Sequence, residues 1–117
     1  MRTLPPSYIA NFDSASSFLR AGHLTDAQVG ALRAAGAVGE SSGQHFDING
    51  GADFDINRRV IALGLNDVQR IPHVVAVACG GAKGDSILGA LRGGYVKALA
   101  TDDITALALL EEAEVLV

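Results

Sequence analysis

The sequence predicts an α/β layer of parallel strands, and three observations predict it. Ile71 to Cys79 is a run of mostly small or β-branched apolar residues, bounded by Pro72 and by Gly80-Gly81. It is too short for an independent helix and has the pattern of a strand buried on both faces. Ile87, Leu88 and Leu91 follow at helical spacing until Gly93-Gly94, so the strand leads through a tight turn into a helix with a glycine stop. A second apolar run, Tyr95 to Ala100, comes next, and strands joined by helices through short turns are the order of parallel sheets.

The other elements follow in chain order. Residues 1 to 22 carry no countable period: Pro5-Pro6 marks an irregular start and Ser14-Ala15-Ser16-Ser17 a polar loop. Thr25 and Gln28 form a capping box, Leu24 and Val29 a hydrophobic staple, and Gly36 a stop, giving a helix from about Asp26 to Ala35 with Val29, Leu32 and Ala35 on its buried side. Between Gly36 and Asn57 the chain is rich in Gly, Ser, Asn and Asp. Asn49-Gly50-Gly51 is a hairpin-type turn, and its flanks, His45 to Ile48 and Asp53 to Ile56, alternate polar and apolar as hairpin strands do. Val60 to Leu63 reads as a short buried strand, and Asn66 to Ile71 as one or two helical turns stopped by Pro72. Thr101-Asp102-Asp103 caps a last helix whose apolar stripe is Ile104, Leu107 and Leu110. Together these pieces make a partial Rossmann-like layer with strands near 60 to 63, 73 to 79 and 95 to 100.

Chemistry concentrates at the turn after the central strand. The first N–H groups of a helix point out of such a turn, and the partial positive charge there favours an anion. Lys83 lies in the same turn, where a cation opposes the helix dipole by roughly 0.3–1 kcal/mol unless a bound anion is shared with the amides. A solvated surface lysine is the alternative. Ligands of α/β sheets lie at the carboxyl ends of strands, which places Gly80, Gly81 and Lys83 as an anion clamp. The turn is not a Walker loop, since neither GxxxxGK[ST] nor GxGxxG occurs.

Composition excludes several classes. At 117 residues and 49% hydrophobic, with 14 glycines, the chain is a turn-rich globular sequence of one domain or part of one. Its net charge is −4 and its nine basic residues are scattered, so it lacks the clustered Lys and Arg that displace counterions from nucleic acid. Cys79 is the one cysteine, which excludes an internal disulfide and suggests a reducing compartment. No run approaches about 20 apolar residues and no signal peptide opens the chain, so the reading is soluble and cytoplasmic. His45 and His73 lack metal-ligand spacing and read as surface or satisfied polar groups, and Asp53 and Asp55 lack the Gly and Glu of a calcium loop. Neither a metal nor a cofactor is expected. Glu40, Asp47 and Asp85 are carboxylates whose spacing commits no pair to acid–base work, and there is no GxSxG nucleophile. Asp47 reads equally as a turn residue bonding its own backbone ahead of Asn49-Gly50 and as a ligand for vicinal hydroxyls.

From about Phe12 to Glu111 the chain resembles the C-terminal part of the sugar-binding (effector-binding) domain of SorC-type bacterial transcriptional regulators. The segments that carry the likeness are Ser17 to Gly22, Leu32 to Glu40, Gly43-Gln44-His45-Phe46-Asp47, Asn57 to Leu63, Ile71 to Val74, Gly80-Gly81-Ala82-Lys83, Ala90 to Gly94 and Thr101-Asp102. The resemblance implies a fold similar to sugar-phosphate isomerases and glucosamine-phosphate deaminases, with a phosphorylated sugar effector touching Lys83 and Asp47. Glu40 stands where the family more often has Asp, and Ala82 where it often has an acidic residue. The family's helix-turn-helix and the glycine-rich first loop of its effector domain have no counterpart here. The expectation is a truncated frame with Met1 as a late start, unable to regulate DNA by itself. A sugar-phosphate isomerase-like fragment is the alternative on this scaffold, and a non-binding remnant a third reading. Parallel strands without their usual cover invite other chains, so self-association is also expected.

Overall fold

The helix that follows the Gly80-Gly81 turn is the centre of the structure. In the computed structural model, which describes residues 9–11, 24–41, 43–61 and 63–115, it runs from Gly84 to Arg92. Ser86, Ile87, Leu88, Gly89 and Ala90 are all buried, which a helix achieves only when it is covered on opposite sides. One cover is an antiparallel sheet of β1 (Ile9–Asn11), β2 (Ala37–Ser41) and β3 (Gln44–Asp47) in that order. The other is formed by a parallel pair, β4 (Val75–Val77) and β5 (Ala98–Ala100), with the C-terminal helix Asp103–Val115. Helices are numbered α1 (Asp26–Ala34), α2 (Leu65–Gln69), α3 (Gly84–Arg92) and α4 (Asp103–Val115).

The parallel β4–β5 pair, joined by α3, is the layer expected from the sequence. Its register is Val75 on Ala98, Ala76 on Leu99 and Val77 on Ala100. The strand is not buried on both faces, however. Ala76 packs inward, whereas Val75 and Val77 are 66% and 85% exposed, because α3 covers one face and no described element covers the other. Val60 to Leu63 is also no strand. Val60 has extended backbone, but residues 60, 61 and 63 join neither sheet, Ile61 is fully exposed, and Ala62 lies outside the described residues. The Gln44 side chain takes the backbone groups instead, with Nε2 donating to the Leu63 carbonyl at 2.6 Å and Oε1 accepting from Leu65 N–H at 3.1 Å.

The hairpin forms one turn earlier than its sequence signal. β2 pairs with β3 up to Ser41 on Gln44, with a bulge between Ala37 and Gly39, while 53 to 56 leads into a 3-10 turn at Asp55–Arg59. Two things turn the chain away from a ladder with β3. Asp47 closes a tight turn, its N–H donating to Gly51 O at 2.8 Å and its carbonyl accepting from Gly50 N–H at 3.0 Å. Asn57 then occupies the outer edge of β3 with its side chain: Oδ1 accepts from His45 N–H at 2.6 Å and Nδ2 donates to His45 O at 2.8 Å. Asn49-Gly50 remains a turn, with Gly50 at φ +85°.

Glycines let sheet and helix approach. A Cβ on Gly39 would sit 2.9 Å from the Ser86 side chain, and one on Gly89 would sit 2.5 Å from the Asp47 carbonyl. The bulge at Val38 leaves its carbonyl to accept from Ser86 Oγ at 2.7 Å. Phe46, Leu65, Ala90, Tyr95 and Val96 fill the main core, with Phe46 and Tyr95 ring centroids 5.5 Å apart.

α1 carries the full capping box: Thr25 Oγ1 accepts from Gln28 N–H and Gln28 Oε1 from Thr25 N–H. Leu24, Val29 and Leu32 pack on Ala37 and Phe54, while Ala35 is exposed. α4 presents a different face from the expected one. Thr105 and Leu109 are buried, and Ile104, Leu107 and Leu110 are 79%, 60% and 63% exposed. Ala and Leu occur on every side of this helix, so spacing alone does not select the side that docks on α3. The expected irregular start at Pro5-Pro6 and the polar loop at 14–17 lie outside the described residues.

Candidate functional site

Gly80 makes the bend between β4 and α3. Its φ of +110° and ψ of 139° are open only to glycine at low cost, and its carbonyl accepts from Lys83 N–H at 3.1 Å, closing a single 3-10 turn, Gly81–Lys83. The turn feeds directly into α3, with half-buried Lys83 at the N-cap position. No side chain caps either the 3-10 turn or α3 among the described residues, so the leading Gly81 and Ala82 amides have no side-chain acceptor there. A Cβ built on Gly80, Gly81 or Gly84 meets nothing within 4 Å.

Beside the turn lies a cleft of about 210 Å³. Gly80, Gly81, Ala82, Gly84 and Asp85 form one wall, and Ile104, Thr105, Ala108, Leu109 and Glu112 of α4 the other. The Gly80 N–H does not face this space freely, because it donates to Thr105 Oγ1 at 3.0 Å. Of the two glycine amides in the expected clamp, that of Gly80 is therefore taken within the fold, and Gly80 shapes the turn.

Asp47 sits elsewhere on α3. Its carbonyl packs against Gly89, six residues beyond Lys83, or roughly 9 Å along the helix at about 1.5 Å per residue. Its Oδ1 accepts from Asn49 N–H at 3.0 Å and from Gly51 N–H at 2.7 Å, which realises the turn-forming role that the sequence allowed. Among the described residues no ion pair joins Lys83 to Asp47, whose second carboxylate oxygen carries no hydrogen bond to this turn. The strand-end turn and the Asp47 turn thus lie at different levels of one buried helix.

The family model described as "Putative sugar-binding domain" matches residues 9–111. The chain belongs to this family. Over 77 residues it is 43% identical to the transcriptional regulator LsrR of Escherichia coli, a match covering 64% of this chain and 24% of that regulator. A transcriptional regulator from Streptococcus pneumoniae superposes with a TM-score of 0.82 at 34% identity, covering 91% of this chain and 41% of the other. The full-length sorbitol operon regulator SorC of Klebsiella pneumoniae gives 0.75 at 27% identity, over 87% and 33%. The chain therefore spans about a quarter of the length of the curated relatives it matches. The resemblance to SorC-type sugar-binding domains, and the α/β layer it implied, are borne out.

This sugar-binding domain also holds a buried ionisable pair that sequence reasoning did not single out. Glu40 and His45 face each other across β2 and β3 and are 6% and 0% exposed. His45 is therefore no surface group. Burial lowers its pKa to about 4 against an opposing hydrogen bond with the Gly43 backbone, while burial raises Glu40 against the Gly43 N–H, which donates to its Oε2 at 2.8 Å. Thr105 was missed for a different reason. Its only signal was a hydroxyl spaced with Leu109 on a helix whose other apolar residues suggested a different face. Cys79 is exposed beside Asp102, and among the described residues no cluster of His, Cys, Asp and Glu has the make-up of a metal site. No described helix is long and apolar enough to cross a membrane.

Proposed function

We propose that this domain binds a phosphorylated sugar as an effector, without turnover. The phosphate rests on the Gly81 and Ala82 amides and on Lys83, Gly80 sets the shape of the turn, and the free edge of Asp47 meets sugar hydroxyls. The observation that carries this reading is the start of α3: a glycine turn with no side-chain cap, a lysine at its N-cap position and an adjoining cleft. Relatives named as transcriptional regulators support a sensor over an enzyme. They also support a cytoplasmic setting, with operator contact made by a helix-turn-helix domain outside the matched region. On this reading the chain corresponds to the C-terminal portion of an effector domain.

Calorimetry with a panel of hexose and pentose phosphates, their free sugars and inorganic phosphate tests the proposal. Phosphorylated sugars are expected to bind and free sugars not. Lys83→Ala should weaken binding by about 10- to 100-fold, the equivalent of one charge-assisted hydrogen-bonding partner at roughly 1.5–3 kcal/mol. Equal affinity for phosphorylated and free sugars would overturn the phosphate clamp. Isomerisation that disappears in Glu40→Gln or Asp47→Asn would replace the sensor by an enzyme.

Self-association is part of the same proposal, supported by the outward valines of β4. Val75 and Val77 lie on the open face of the β4–β5 pair, which also has unpaired edges among the described residues. Sedimentation velocity of the purified chain should show a concentration-dependent dimer or larger species, shifted toward monomer by Val77→Lys. A concentration-independent monomer would remove this part of the proposal.

A further inference from the structure

We infer that Thr105 of α4 is a positioning residue for the phosphate turn, holding the Gly80 peptide so that the Gly81 and Ala82 amides and Lys83 are aimed before a ligand arrives. The inference rests on the proposed phosphate site and adds to it a residue from a different helix.

The geometry begins with Gly80. A glycine at φ +110° has no side chain to restrain it and loses more conformational freedom on ordering than any other residue. Here it is held at both ends, its carbonyl by Lys83 N–H at 3.1 Å and its N–H by Thr105 Oγ1 at 3.0 Å. Thr105 is 4% exposed, so water does not readily replace it. A hydroxyl has one proton and two lone pairs. Asp102 is the acceptor beside this hydroxyl, and its carboxyl lies below its usual range first through the Thr105 side chain and then through the Thr105 backbone. The Asp102 Oδ1 accepts that backbone N–H at 2.7 Å, as a helix N-cap does. A lone pair of Oγ1 accepts from Gly80 N–H whichever way the hydroxyl turns its proton.

Asp102 directly follows Thr101, the residue after β5, and β5 extends its pairing one residue past β4 through Ala78 N–H to Ala100 O at 3.1 Å. The carboxyl ends of the two parallel strands, the α4 cap and the Gly80 turn are thus one hydrogen-bonded unit. Ordering the turn in advance removes part of the entropy that binding would otherwise cost.

The test uses the full chain labelled with ¹⁵N, with inorganic phosphate and glucose 6-phosphate as probes. In the unmodified protein the Gly81 and Ala82 amide resonances should move on titration and the Gly80 amide should exchange slowly. Thr105→Val keeps the shape and removes the hydroxyl. It should speed Gly80 exchange by about tenfold and weaken glucose 6-phosphate by about 5- to 10-fold, as losing one neutral hydrogen bond does. Thr105→Ser keeps the hydroxyl and should stay within about twofold of the parent in both readouts. Unchanged exchange and affinity in Thr105→Val would overturn the inference, as would a Thr105→Ser variant no better than Thr105→Val. If Thr105→Val does not fold, Asp102→Asn replaces it, since the amide still caps α4 but offers no charge to the hydroxyl. Faster Gly80 exchange would then support the inference, and an unchanged rate would overturn it. Titration that moves neither Gly81 nor Ala82 in the unmodified protein removes the phosphate site itself, whereas normal titration with Gly80 unaffected by the variants removes only the role of Thr105.

Discussion

Gly50→Ala is expected to lower the melting temperature by roughly 10–15 °C, the equivalent of about 3 kcal/mol at about 4 °C per kcal/mol for a chain of this size. Two costs combine. Gly50 holds φ +85°, where a Cβ is strained by about 1–3 kcal/mol. That Cβ would also overlap the Gly93 backbone at the end of α3, which no side-chain rotation relieves, and overpacking costs about 1–3 kcal/mol. The same peptide accepts the hydroxyl of buried Tyr95, so backing away breaks a second contact. Gly30→Ala is the control. Gly30 lies within α1, a Cβ there meets nothing within 4 Å, and the change should stabilise by about 0.5–1 kcal/mol. Circular dichroism melts of the two variants check both signs, and a Gly50→Ala melt within a few degrees of the parent would show that the loop yields.

Stability should fall by roughly 2 kcal/mol on acidification from pH 7 to about 4.5, with His45 as the cause. Its pKa is about 4 when folded, below the 6.5 of the free side chain. The unfolded chain therefore takes up a proton that the folded chain refuses, and the contribution is full above 6.5 and lost as pH falls through the window toward 4. Glu40 acts in the opposite sense. Its raised carboxyl makes ionisation costly in the fold, a cost relieved as pH falls through its folded value, so the net slope is smaller than His45 alone would give. Asp102, held low, contributes stability that is lost only below the usual carboxylate range, outside this window. Urea unfolding at a series of pH values measures the slope. His45→Gln should flatten it between 6.5 and 4.5, and an unchanged slope in that variant would assign the acid sensitivity elsewhere.

What could be read from the sequence was whatever local chemistry determines. The capping box of α1 and the glycine turn after β4 depend on residues a few positions apart, the β4–α3–β5 order follows from such local signals taken in sequence, and each is present. What could not be read depends on which surfaces meet. The side of α4 that packs was set by the place of α3, and the hairpin moved upstream because Asn57, ten residues beyond Asp47, supplied β3 with a substitute neighbour. The candidate site divides the same way. The place of Gly81 and Lys83 in the turn ahead of α3 followed from the strand–turn–helix signal, whereas the use of the Gly80 amide by Thr105 joins positions 25 residues apart.

The side-chain amide of Asn57 closes the open edge of β3 at His45. β3 is an edge strand, and an edge with free backbone groups is a template on which sheets grow into fibrils. On its outward side His45 is satisfied at both N–H and C=O by Asn57, and Asp47 N–H by Gly51. An incoming strand finds no vacant donor at either residue. Pairing of another strand along this edge of the antiparallel sheet is thus blocked at His45 by one carboxamide. Asn57→Asp would remove the donor and leave the His45 carbonyl open, an exposed acceptor on the edge of β3.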